Sequence, residues 1–507
     1  MTLMKRKVEL CLAFRDMWQT SCGSFPDIPS LVEMASVIVS MGCFSRVETN
    51  GGAFEQVCLM NGVDPNHAVR EFVKPLKAAG IKAQMLERGL NALSLSPVSA
   101  DVRELMFKVK KAQGVDVVRS FCGLNDAVNL SRSVRFAKSA GVVSQVALPI
   151  VNSPVHTIRF YMSVVESVVS CGCNEICIKD MSGQASASLM AGLIRKIRLS
   201  YPEIYIHYHG HCGRQNYREA LLEVVGAGVD AVDVAVGPLS GRFSHPDVLD
   251  VVDWLSTSGY AVNDVDREAY CRFVGLIEGV CSKCSPSCGK KTPFLDGLIG
   301  ACGLPGGMMA SLPDNIIDFH VSVNSSLRKR GLPEVSLEGF VSQFCDEVKS
   351  IWPLLGYPPM VTPFSQYVAN AALSNLLALA GGGVRWMSLN SEVWNMILGR
   401  MGKLPAEPDA SLLALAADKG LEFYDGDPQE LYPDTLSCYR SEMFRNSWSL
   451  GQDDEQLMEL AMHEAQYRSF ISGQSSLSMD SDDAAYIAIA LALQEYTMSA
   501  YKRKIPL

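Results

Sequence analysis

Histidine is scarce in this chain, with eight among 507 residues. Other absences narrow the class further. No stretch holds about 18 uninterrupted apolar residues, the length a membrane-spanning helix needs. The nearest run, AAYIAIALAL at 484–493, is preceded by acids and reads as an ordinary helix. The N-terminus, MTLMKRKVELCLAFRDMW, is basic, but the apolar VELCLAF that follows is too short and holds a Glu, so no secretory signal is expected. There is no basic block: 45 Lys and Arg stand against 54 Asp and Glu, for a net charge of −9. That balance argues against nucleic-acid binding. Sixteen cysteines show no framework of short, regular spacings. A chain this long needs no disulfide staples, so reduced thiols in a cytoplasm are expected.

What is present suits a soluble globular protein, 48% hydrophobic and 20% charged. The length predicts two or three domains. Short apolar runs recur through the first half: VELCLAF (8–14), SRVET (45–49), KAQML (82–86), VDVVRSF (115–121), VSQVALPI (143–150), EICIKDM (175–181), EIYIHYH (203–209) and DAVDVAV (230–236). Each is rich in β-branched residues and of a length that suits a buried parallel strand. Helix-like stretches lie between them, among them SLVEMASVIVSMG, NLSRSVRFAKSAG and NYREALLEVVGAG, several ending in Gly. Eightfold strand–helix alternation predicts a TIM (β/α)8 barrel. Such a barrel carries its chemistry where strands end. Those ends read Arg15-Asp16, Glu48, Arg88, Lys179-Asp180 and a histidine run.

That run, IYIHYHGHCGRQN, holds three of the eight histidines, His207, His209 and His211. Alternate strand positions share a face, so all three can point inward. The outer two lie four rises of about 3.3 Å apart, so one ion takes neighbouring partners more readily than all three. Two readings stay open: metal ligands, or side chains that fill the barrel and bond a neighbouring strand. Two imidazoles need further donors and charge neutralisation. Asp16, at the end of the first strand, is the natural carboxylate. Lys179 is either an amine paired with Asp180 or, once carboxylated by CO2, an anionic oxygen ligand. The residues alone do not justify the second reading.

AFRDMWQT, ETNGGAF, QMLERGLN, NSPVHT, ICIKDMSG and IHYHGH follow one another in that order. GLPGGMMASL (303–312) and LGYPPMVTPFSQYVANAAL (355–373) come after them. Together they resemble the motifs of the biotin-dependent carboxyltransferases: the carboxyltransferase domain of pyruvate carboxylase, the α subunit of oxaloacetate decarboxylase and the 5S subunit of transcarboxylase. The resemblance covers about residues 8–440. It implies a TIM barrel followed by a mostly helical domain. It implies a divalent metal (zinc, or manganese or cobalt) bound by Asp16, a carboxylated Lys179, His209 and His211. Gln19 and Arg88 would hold pyruvate or its enolate, and His207 would lie behind the ligands. It also implies a dimer.

Three positions depart from the family pattern. Cys122 stands where an Asp is usual, and Leu95 where a Tyr is usual. Ala310 falls at the position of a proton-relaying hydroxyl, leaving Ser311 next to it as the candidate relay. CSKCSPSCGKK (281–291) is read as reduced thiols in a connector. The expected division is a barrel over 1–265, a helical domain over 266–470, and a polar linker with a tail helix over 471–507. No A-M-K-M motif is present, and the tail is too short for a carrier domain. Biotin is therefore expected on a separate carrier protein. The tail helix either docks on a partner subunit, membrane-bound partners included, or packs on its own domain. The favoured activity is oxaloacetate decarboxylation. A biotin-independent lyase or synthase and a non-catalytic assembly subunit remain the other classes.

Overall fold

The computed structural model describes residues 5–213, 216–241, 244–283, 302–304, 308, 312–448 and 453–473. A short strand β1 (Lys5–Lys7) leads the chain in and pairs with β10 (Tyr260–Ala261). Between them β2 (Glu9–Leu12), β3 (Phe44–Gly51), β4 (Lys82–Glu87), β5 (Val117–Phe121), β6 (Val143–Pro149), β7 (Glu175–Asp180), β8 (Tyr205–Gly210) and β9 (Ala231–Val234) close into a parallel barrel in sequence order. All eight expected runs are strands. The first is shorter than the apolar pattern suggests: the backbone already turns helical at Phe14, so Asp16 lies in the first turn of the helix Phe14–Ser21 rather than on a strand.

The crossover helices are punctuated by their own residues. Asp27 accepts from Ser30 N to start Ile28–Met41, and Gly42 ends it at φ 68°. Asp126 accepts from Asn129 N to start Ala127–Ala140, closed by Gly141 at φ 70°. These side-chain oxygens satisfy amides that the first turn leaves without partners, and glycine takes the left-handed ending at low cost.

The strands alternate between two environments. Ile176, Ile178, Ile206, Tyr208, Val232 and Val234 belong to the large apolar core shared with the helices. The intervening positions face the barrel axis. There Leu86, Phe121, Ala147 and Cys177 make a small separate cluster. Charged side chains fill the rest of the interior, with Glu48, Arg119, His207 and His209 fully buried.

Beyond Ala261 the described elements are helical, from Arg267–Cys281 to Glu464–Ile471. This half reaches back over the barrel. Val361 joins the axial cluster, and Phe364 presses on the loop after β5 so closely that a Cβ on Gly123 would lie 2.4 Å from its ring. Asp126 Oδ2 accepts from Lys403 N at 2.7 Å, and Asn129 Nδ2 donates to Met401 O at 3.0 Å. No helix among the described residues is long and apolar enough to cross a membrane. Ala310, Ser311 and the tail over 474–507 lie outside the described residues, as do two of the three cysteines in CSKCSPSCGKK. The third, Cys281, has its sulfur 3.5 Å from that of Cys22. The described cysteines form no disulfide with one another.

Candidate metal centre

Three histidines and one carboxylate meet at the strand ends. Asp16, on the helix after β2, has its Oδ2 3.2 Å from His211 Nε2 and 3.8 Å from His209 Nε2. His209 Nε2 and His211 Nε2 are 3.3 Å apart. A residue that the sequence pattern did not single out completes the group. His245 Nε2, from the loop after β9, lies 2.9 Å from the same Asp16 oxygen. One donor atom from each of the four falls within 4.8 Å of every other, and all four residues are buried.

Asp16 is oriented by its neighbour. Arg15 Nη1 donates to Asp16 Oδ1 at 2.9 Å and to Gln19 Oε1 at 2.9 Å, while Arg15 Nη2 pairs with Glu48. Oδ1 is thereby occupied and Oδ2 is turned to the imidazoles. Burial works against a charge on Asp16, but Arg15 and the hydrogen bonds from His211 and His245 outweigh it and hold the carboxyl well below its usual range. Gln19, one turn along the same helix, also accepts from Ala53 N at 3.3 Å. Gly52 faces this pair so closely that a Cβ there would lie 2.9 Å from Gln19 Oε1.

A layer deeper, Asp233 aligns the rings. His209 Nδ1 donates to Asp233 Oδ2 at 2.6 Å, and His207 Nε2 to Asp233 Oδ1 at 2.6 Å. His207 thus lies behind the cluster rather than in it. Donation from Nδ1 fixes the tautomer that leaves the His209 Nε2 lone pair facing the cluster, the arrangement in which a carboxylate supports a metal-binding imidazole. Burial, reinforced by His245 and Lys179, holds His209 well below its ordinary value, so the ring is neutral. Arg119 Nη1 also reaches Asp233 Oδ2, at 2.5 Å, and supplies the countercharge. Cys11, His207 and Asp233 form a second compact group, but the guanidinium of Arg119 already holds that carboxylate. The donor set around Asp16 Oδ2 is imidazole nitrogen plus one carboxylate oxygen, which suits a borderline divalent ion such as zinc.

Lys179 sits beside His209 in the β7–β8 register. Its ammonium stacks over the Phe121 ring, 4.7 Å from the centroid. A salt bridge to Asp180 does not form: adjacent strand residues point to opposite faces, and Asp180 Oδ1 instead accepts from Gln184 N and Ala185 N. Burial lowers Lys179 to about 8, against the pull of Asp16 and Glu48.

Arg88 occupies the end of β4. Its Nη1 donates to Leu93 O at 2.9 Å and Ser94 O at 3.1 Å. Among the described residues no carboxylate pairs with it. Burial, and the nearby Arg15, push it down to about 10. A guanidinium kept dry without a counter-ion is costly unless an anion visits.

Known proteins share this architecture. Residues 326–503 match a family model described as a conserved carboxylase domain. The chain is 28% identical over 422 residues to a pyruvate carboxylase subunit of Methanocaldococcus jannaschii, covering 83% of this chain and 70% of that one. It is 26% identical over 412 residues to the methylmalonyl-CoA carboxyltransferase 5S subunit of Propionibacterium freudenreichii subsp. shermanii, covering 80% and 76%. Its fold matches the carboxyl transferase domain of Rhizobium etli pyruvate carboxylase, solved with pyruvate and biocytin. The TM-score is 0.78 at 21% identity, over 95% of this chain and 80% of that one. In sequence and in fold the chain is similar to biotin-dependent carboxyltransferases over most of its length.

The positions that depart from the pattern of these similar proteins have visible surroundings. Cys122 is buried next to Asn129, and burial pushes its thiol up to about 11, so it is no anionic stand-in for an Asp. Leu95 gives its backbone carbonyl to Asn91 Nδ2 at 2.7 Å. That bond holds the loop after Arg88 whatever side chain is present.

Proposed function

We propose that this chain moves a carboxyl group between a keto acid of the pyruvate–oxaloacetate pair and biotin borne on a separate carrier protein, running as an oxaloacetate decarboxylase. The observation that carries this reading is Arg88: a buried guanidinium with no carboxylate partner among the described residues, set at the rim that also holds Arg15, Gln19 and the imidazole cluster. A planar guanidinium takes both oxygens of a keto-acid carboxylate at once. Gln19, anchored through Oε1, adds a fixed polar group beside it. Asp16, His209 and His211, with Lys179 in its carboxylated form, are the proposed ligands of a divalent ion, with zinc first and manganese or cobalt next. When bound, that ion supplies a Lewis acid for a keto oxygen. Lys179 suits carboxylation because an amine lowered to about 8 is partly neutral in mildly alkaline solution, and only the neutral amine adds to CO2, releasing a proton as the carbamate forms. Arg88 and Arg15 place positive charge where an enolate develops, and Val361 and Phe364 pack on the same end of the barrel. Ser311 is the proposed hydroxyl for proton transfer at biotin, and a homodimer is the proposed assembly.

The test is direct. Metal-loaded full-length protein with oxaloacetate and free biotin is expected to release pyruvate in proportion to biotin. If biotin and a biotinylated carrier both leave the rate at the uncatalysed level, the proposal fails.

A further inference from the structure

His245 enters the centre from the far side of the barrel closure, and its placement is tightly set. Its carbonyl accepts from Gly241 N at 2.7 Å, and Ser244, just before it, gives its carbonyl to Cys212 N at 2.8 Å, tying the loop after β9 to the loop after β8. The ring has an acceptor at each nitrogen: Gly210 O is 3.0 Å from Nδ1 and Asp16 Oδ2 is 2.9 Å from Nε2. One neutral imidazole carries a single N–H and satisfies only one of them. The other contact needs a cation, either a proton on the ring or a metal ion. The rest of the cluster decides between the two. Three Nε2 atoms surround Asp16 Oδ2 at 2.9, 3.2 and 3.8 Å. A shared proton serves one of these pairs, whereas a metal ion serves all of them. The spacings also have the right size. Bonds of about 2.0–2.1 Å give a tetrahedron with edges of about 3.3–3.4 Å, and the observed edges, with 3.3 Å between His209 and His211, bracket it.

We infer that His245 is a direct ligand of the metal at this centre, adding a third imidazole to His209, His211, Asp16 and the proposed Lys179 carbamate and so tuning it to zinc or cobalt over manganese. The inference rests on the metal-centre reading above and adds both a ligand and a selectivity. Imidazole donors favour zinc, while oxygen-rich sets suit manganese and magnesium. Replacing one nitrogen by an amide oxygen therefore weakens zinc much more than manganese.

The experiment uses the full chain stripped with a chelator and titrated with Zn2+, Co2+ or Mn2+ against a chromophoric competitor. Wild type is expected to bind one Zn2+ per chain. His245→Gln keeps a polar group near Asp16 and is expected to lose at least about 100-fold in Zn2+ and Co2+ affinity, since even an outer partner is worth about 10–100-fold. Its Mn2+ affinity should fall less, and its Co2+ visible bands should shift. X-ray absorption at the zinc edge of the wild type, which needs no variant, is expected to count three imidazoles. Two imidazoles, or unchanged affinities and Co2+ bands in the variant, overturn the assignment of His245 while leaving a metal centre standing. No metal bound by the wild type overturns the centre itself, and this inference with it.

Discussion

The two faces of the barrel sheet are built from the same strands and could hardly differ more. On the outer face of β7 and β8, Ile176, Ile178, Ile206 and Tyr208 pack against helices. On the inner face of the same strands stand Cys177, Lys179, His207 and His209, each buried. The outer face is held by area removed from water, which is non-directional and tolerant of detail. The inner face is held by matched charges. Arg119 answers Glu48 and Asp233, Arg46 answers Glu175 at 2.7 Å, and Arg15 answers Asp16 and Glu48. Buried ion pairs of this kind seldom add much stability over an apolar filling. Their presence in a barrel whose closure is already secured by the outer layer marks the inner face as the part that does the chemistry.

Substitutions on either face separate these roles. Ile206→Ala, on the outer face, is expected to lower stability by about 2–5 kcal/mol, with turnover per folded molecule unchanged. Denaturant unfolding read beside active-site titration checks it. Arg88→Gln, at the inner rim, is expected to lower kcat/KM for oxaloacetate by about 10²–10³-fold, the usual scale for losing a donor aimed at developing charge. Its melting temperature should be equal or higher, because an unpaired buried cation has been removed. A drop in both activity and melting temperature would mean that Arg88 is structural. Asp233→Asn disturbs the support of His209, along with the contacts to His207 and Arg119, and should weaken metal binding by about 10–100-fold, read by chelator competition.

The smallest expected effect lies where the C-terminal helices cover the barrel. His463 is buried near Glu55, Arg88 and Lys110, and burial lowers it to about 4. The unfolded chain binds a proton there below its ordinary value of about 6.5 and the native state does not. Stability therefore falls as pH drops from about 6.5 to about 4. His463→Gln should flatten that slope in pH-dependent unfolding; an unchanged slope would place the acid sensitivity elsewhere.

Much of the fold was legible because β-branched runs of strand length alternate with helices that end in Gly, and eight such runs leave few ways to close a sheet. Asp16, His209 and His211 were legible too, two by alternate spacing and one by its motif at the first strand's end. The structure brings these three together. It does not bring Lys179 to Asp180, a pairing that adjacency in sequence suggested and strand geometry forbids. His245 was not legible. It stands alone in SHPDV, without spacing to any other ligand, and reaches the cluster only because barrel closure sets β9 against β2. Arg119 and Asp233 were hidden in VDVVRSF and DAVDVAV, where the apolar pattern names the strand but not the partner its charged residue meets across the axis.

All of these roles turn on the inner-face cluster at Asp16 being the protein's metal centre. Anomalous diffraction at the zinc edge, from crystals of metal-loaded protein, tests it most directly. The expected result is one strong peak per chain, within bonding distance of Asp16 Oδ2 and of His209 and His211 Nε2. A peak elsewhere, or active protein with no peak there, would contradict it.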